Sequence, residues 1–162
     1  SILLAQYNYH LFLEEAVEVR DDLQANQLLA WEERIKTSYL QKDLELLGLW
    51  PIVPLEWDQE WYSAANEDGI LGFLYVSEGS MNGAFHILRA LKKNPTIANT
   101  EALSFYRSYR DKGRSLWTDF ILFLQQQQSN ADIEKAVKGA VTAFSLFQRA
   151  FQEVEQSFTV DI

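Results

Sequence analysis

Two histidines, no cysteine and a pair of glycines one helical turn apart carry most of the chemical content of this 162-residue sequence. Without thiols there is no disulfide, no thiolate metal site and no cysteine nucleophile, which fits a reducing compartment and leads to the expectation of a cytoplasmic protein. The remaining side chains offer no Glu-x-x-His pair for a di-iron bundle, no spacing that favours a Ser–His–Asp arrangement, and no glycine-rich phosphate loop after a strand. Attention therefore falls on "GILGFLYVSEGSMNGAFHILRALKKNP", Gly69 to Pro95. Its apolar positions read as one buried helix ending near Asn94, just before Pro95. Yet Gly79 and Gly83 lie inside it, where each costs about 1 kcal/mol relative to alanine.

A 3.6-residue turn places Gly72, Val76, Gly79, Gly83, His86 and Ala90 on one stripe. Such a bare face suits either close packing of another helix or a flat ligand pressed against the main chain, where a kink also frees backbone hydrogen-bonding groups. His86, beside the glycines, reads as a pocket-lining residue. His10, in "QYNYHLF", reads as structural or surface.

The elements that must position these residues are helical. Only three prolines and seven glycines punctuate the chain, apolar residues recur at three- and four-residue spacing, and strand alternation is nowhere convincing. The expected helices are Ile2 to Gln24, Gln27 to Leu47 (ended by Gly48 and the prolines of "LWPIVP"), Asp58 to Asn66, the Gly69 helix, Thr100 to Asp111 and Leu116 to Gln128, with "DKGRS" as a break. A last helix, capped by Asn130 or Asp132, carries Val137, Val141, Phe144, Phe147 and Phe151 on a face expected in the core. Trp50, Trp57 and Trp61 suggest a satellite apolar cluster, and the acidic runs "LEEAVE", "WEER" and "NED" read as solvated faces. At 48% apolar residues the chain supports one domain, residues 1–162. Fourteen basic against twenty-three acidic residues, a net charge of −9, argue against a nucleic-acid partner. No apolar run reaches membrane-spanning length.

"LGFLYVSEGSMNGAF" resembles the distal helix of the heme oxygenases, particularly the bacterial heme-degrading group, in which a bulky aromatic pair precedes S/A-E-G-S-x-L-G-A. Gly79, Ser80, Gly83 and Ala84 match position by position, while Asn82 replaces an apolar residue. "LLAQYNYHLFLEE", "KDLELLG", "GRSLWTDF" and "AVKGAVTAFSLFQRAF" resemble further segments of that family, so the likeness spans nearly the whole chain.

The resemblance implies an all-α, single-domain helical bundle with a glycine-kinked distal helix. It further implies that heme, as substrate and cofactor, is cleaved with O2 and reducing equivalents to biliverdin, ferrous iron and carbon monoxide. An electron donor such as a ferredoxin or a flavin reductase would be a partner. Gly79, Ser80 and Gly83 would form the catalytic wall, while Ala84, His86, Arg89 and Phe144 would bind heme. Arg89, with Lys92 and Lys93 one turn on, is the candidate for the propionates. Lys36 falls near a basic residue of the relatives' distal water network. The family's proximal histidine lies upstream of the segment matched by Leu3 to Glu15, so the helix bearing it is expected to be absent and no residue inherits its role, His86 being the one substitute ligand. A non-catalytic heme- or bilin-binding protein of the same fold is the alternative.

Overall fold

The computed structural model describes residues 2–93 and 101–159, and among them there is no strand. Eight α-helices follow in order: α1 (Ile2–Glu18), α2 (Asp21–Gln24), α3 (Thr37–Leu46), α4 (Gln59–Ala64), α5 (Gly69–Asn82), α6 (Ala84–Leu91), α7 (Gly113–Gln127) and α8 (Ile133–Thr159). A 3₁₀ turn, Trp31–Arg34, joins α2 to α3. The all-α expectation is met, and several boundaries move for identifiable reasons.

The first expected helix is cut at Arg20. Its guanidinium holds the Asp22 carboxylate and donates to the Glu67 carbonyl, while the Gln24 amide donates to the Glu18 carbonyl at the end of α1. These side chains satisfy the carbonyls and charges that a continuous helix would leave to solvent. The helix expected from Gln27 forms only from Thr37. The Asn26 side chain accepts the N–H groups of Leu28 and Leu29 in an Asx turn, and Ala30 takes a left-handed backbone at φ 43°. The Glu14 carboxylate of α1 then receives the amides of Lys36 and Thr37, capping α3 from a different helix. So Glu14, in the acidic run read as solvated, has a structural partner.

Residues 104–111, expected as helix, form turns whose register is set by Asp43. Its carboxylate accepts the amides of Ser104 and Phe105 and the Ser104 hydroxyl, from a position with no solvent exposure. Thr100 and Asn94, named as helix limits, lie outside the described residues. Helix α7 starts at Gly113, inside the segment expected as a break.

The core has two lobes. Phe12, Leu13, Val17, Ile70, Phe73, Leu74, Phe120, Phe123, Ala143 and Leu146 fill the larger one, where α1, α5, α7 and α8 converge. Leu3, Tyr7, Leu40, Leu44, Met81, Leu103, Phe105 and Leu116 fill the other. The three tryptophans do not form a separate cluster: Trp57 and Trp61 pack against the larger lobe with ring centroids 5.3 Å apart, and Trp50 stacks edge-on against Tyr7 beside the smaller one.

Helix α8 corrects the expected core face. Ala143, Leu146, Ala150 and Val154 point inward, whereas Val137, Val141 and Phe144 are 59%, 61% and 63% exposed. Phe147, also on the expected face, does pack partly buried against the larger lobe, and the close approach of α8 to α5 is made by Ala136, Gly139 and Ala140. Val137, Val141 and Phe144 are left as an apolar strip with no covering element among the described residues.

Candidate functional site

Helix α5 contains two kinds of glycine. At Gly69, Gly72 and, on α8, Gly139, an added Cβ would collide with backbone atoms of a neighbouring element: Ala64 for Gly69, Ala136 and Ala140 for Gly72, and Gly69 itself for Gly139. These glycines exist for helix contact, since only a missing Cβ lets two backbones approach so closely. At Gly79 an added Cβ would meet nothing within 4 Å, and at Gly83 only the Ser80 carbonyl at 3.4 Å. The stripe read from the sequence is therefore divided, with its N-terminal half consumed by packing and its C-terminal half open.

Gly83 also divides the helix. The chain leaves α5 at Asn82 and begins α6 at Ala84, so the single expected helix is two, broken at the position whose lack of a side chain weakens it most.

A cavity of about 360 Å³ lies over the open half, lined by Gln6 and Tyr9 of α1, Tyr75, Val76, Gly79 and Ser80 of α5, and Phe144 and Phe147 of α8. Its walls are mostly apolar or aromatic, and Tyr75 and Phe144 are 49% and 63% exposed. The Ser80 hydroxyl is turned back onto the Ser77 carbonyl, 2.7 Å away, and the Tyr9 hydroxyl donates to the Phe73 carbonyl at 2.8 Å. With these polar tips internally satisfied, the cavity presents a flat apolar floor of exposed backbone between aromatic rings. That arrangement fits one face of a planar hydrophobic ligand. Neighbouring it, Leu71, Gly72, Tyr75, Ile133, Val137 and Val141 line an apolar groove of about 450 Å³ that shares Tyr75 and Phe144.

Behind the floor, facing the core, stands a charged network. Glu78, 3% exposed, accepts from the Tyr109 hydroxyl at 2.6 Å and is ion-paired with Arg34, itself 2% exposed. Arg34 also donates to the carbonyls of Leu29 and Leu116 and lies over the Phe120 ring. Lys36, with no exposure, donates to the Arg34 carbonyl and sits 3.7 Å from the Tyr109 ring centroid. Burial, with the nearby Arg34 charge, brings the Lys36 ammonium down to about 7 against the pull of Glu78 and Glu14. Burial and then the Lys36 charge lower His10 to about 3, and its Nε2 has no hydrogen-bond partner. Burial, reinforced by Glu78, raises the Tyr9 and Tyr109 hydroxyls, which therefore remain neutral donors. The network ties the open half of α5 to the 3₁₀ turn and to α7, holding the floor rigid where helix propensity is weakest.

The residues named from the sequence fall into separate places. Gly79, Ser80 and Phe144 meet at the 360 Å³ cavity, and Gly83 is at the helix break. Ala84 and His86 line a different, larger cavity on the other side of α5, so His86 does not accompany the glycines. Gly83 keeps right-handed helical dihedrals (φ −79°, ψ −15°), and beyond it His86 nonetheless lines the other cavity. Arg89 is exposed and lines neither cavity. His10 is buried, with its ring edge-on to Tyr9 and Phe105, so neither histidine faces the Gly79 floor. Sequence reading did not find Gln6, Tyr9, Tyr75 and Phe147 as site residues, nor Arg34 and Tyr109 as network members. Glu78 stood inside the quoted motif, and a carboxylate between apolar helix positions was the available signal for a buried ion pair.

Among the described residues no group of three His, Asp or Glu side chains is placed to hold a metal ion, and no helix is long and apolar enough to cross a membrane. A family model described as heme oxygenase matches residues 1–153. An all-α bundle with a glycine-broken helix flooring an apolar cavity is the architecture expected of that class, and this chain belongs to the heme oxygenase family. No curated protein and no solved structure matches it significantly.

Proposed function

We propose that the protein acts on heme, opening the macrocycle oxidatively to biliverdin, ferrous iron and carbon monoxide with O2 and electrons from a donor protein. The observation that supports this most is the open half of α5: a helix has lost the side chain at Gly79 where no neighbouring element requires it, beside a cavity walled by Tyr75, Phe144 and Phe147. Heme, when bound, supplies the redox-active iron and is itself the ring that is cleaved.

This chain's residues have limited, definable roles. Gly79 would leave bare backbone toward a bound ligand, and Gly83, where α5 gives way to α6, would lie next along that helix. Phe144 and Phe147 would give the ligand an aromatic wall to pack against. Gln6 contributes an amide to the cavity wall, while Ser80 presents its hydroxyl oxygen with the hydrogen directed at the Ser77 carbonyl. Glu78, Arg34 and Tyr109 keep the floor in place from behind.

A histidine ligand for the opposite face would have to come from outside these 162 residues, because His10 is enclosed in the core and His86 lies in the other cavity. That observation favours a second reading for this chain taken alone: a heme- or bilin-binding protein without turnover. Hemin titration of the complete gene product, followed by reductant and O2, separates the two. A histidine-type Soret band and appearance of biliverdin support the enzyme. A Soret change without biliverdin supports the binder, and no spectral change contradicts both.

A further inference from the structure

A second cavity, about 860 Å³, lies across α5 from the Gly79 floor, between α6, the 104–111 turns and the start of α7. Arg107, Arg110 and Arg114 all line it, and His86 joins them. None of the three guanidiniums has an ion pair or hydrogen-bonded carboxylate among the described residues. The single carboxylate in the lining, Glu78, is neutralised from behind by Arg34. In a chain of net charge −9, carboxylates are abundant, yet these three arginines on one hollow have no carboxylate partner among the described residues, so the wall presents positive charge to an anion. Helix α7, fifteen residues long, opens at the same place with no side chain capping its first turn, which adds positive potential. The rest of the wall is apolar: Met81, Phe85, Leu88 and Trp117. Phe85, 69% exposed on α6, has its large ring beside this cavity rather than in the core.

We propose that this cavity is a second binding site, for a small amphipathic organic dianion whose apolar body lies against Phe85, Leu88 and Trp117 and whose two acid groups are held by Arg107, Arg110 and Arg114. Guanidinium forks grip carboxylate, sulfonate or phosphate groups in two-point contacts, and a concave apolar wall selects a compact ligand over a flat protein surface. The site is independent of the Gly79 cavity and of any reaction there.

The test is a calorimetric titration of the 162-residue chain with naphthalene-1,5-disulfonate at low ionic strength. One saturable site is expected. Arg110→Gln/Arg114→Gln should weaken it by 10-fold or more with an unchanged melting temperature, since both side chains are exposed and unpaired. Phe144→Ala, in the other cavity, should leave it unaltered. Tenfold more salt should weaken it further. The proposal is overturned if heat is non-saturable, if neutral 1,5-dihydroxynaphthalene binds as tightly, or if the double variant binds as the parent does. Saturable binding of poly-glutamate with none of the disulfonate would also overturn it, in favour of an acidic protein surface.

Discussion

The two halves of α5 use the same residue for opposite ends. In the N-terminal half, Gly69 and Gly72 are glycine because the backbones of α8 and of Ala64 occupy the space of a Cβ. In the C-terminal half, Gly79 is glycine although nothing occupies that space. The first pair is explained by folding. No contact among the described residues requires the second, and under the proposed function it leaves room for a ligand. Helix propensity alone makes both halves weak, so stability measurements can tell which weakness the fold requires.

The largest effect should come from the support behind the open half. Arg34→Leu leaves the Glu78 carboxylate buried without its partner and should cost about 3–5 kcal/mol, read by urea or thermal unfolding. A cost near zero would mean that the open half holds its shape without the network. Next, Gly139→Ala drives a methyl group into the Gly69 backbone and should destabilise by about 3 kcal/mol, with α5 and α8 forced apart. Gly79→Ala should do the reverse, raising stability by about 0.5–1 kcal/mol, or about 1–4 °C in melting temperature for a domain of this size. If the two glycine substitutions shift the melting temperature in the same direction, the division of α5 is wrong.

A smaller effect concerns pH. Lys36 titrates near 7 in the folded chain and near its ordinary 10.5 when unfolded. Between those values the unfolded chain binds more protons, so this residue makes stability rise with pH. Below about pH 7 both states are protonated and its contribution is constant. Lys36→Met should remove that rise, so the variant's advantage over the parent is greatest at pH 6 and shrinks towards pH 10. His10, lowered to about 3 by burial, acts at lower pH, making stability rise between about 3 and its ordinary 6.5. The two slopes are therefore separable in a pH series of melts.

Much of this architecture was legible in the residues. Apolar spacing identified most of the helices, and Gly79 and Ser80 were singled out by the distal-helix motif while Phe144 was singled out by the separate closing-helix segment. What periodicity could not show was where a helix stops for reasons outside itself. The cap of α3 comes from Glu14, twenty-two residues upstream of Lys36 whose amide it receives, and the 104–111 turns are organised by Asp43. Nor could it show that a face of Val137, Val141 and Phe144 stays open, since a covering partner and a ligand wall have the same apolar signature. The alignment of His86 with the glycines assumed one uninterrupted helix, whereas α5 ends at Asn82, α6 begins at Ala84, and His86 lines the other cavity.

The central claim is that the open glycine face of α5 is shaped for a ligand rather than for folding. It is tested most directly by one pair of readings on Gly79→Leu, the melting temperature without hemin and the hemin dissociation constant from the Soret band. A melting temperature at or above the parent's with hemin affinity reduced 10-fold or more is the predicted result. A lowered melting temperature with unchanged hemin affinity would contradict it.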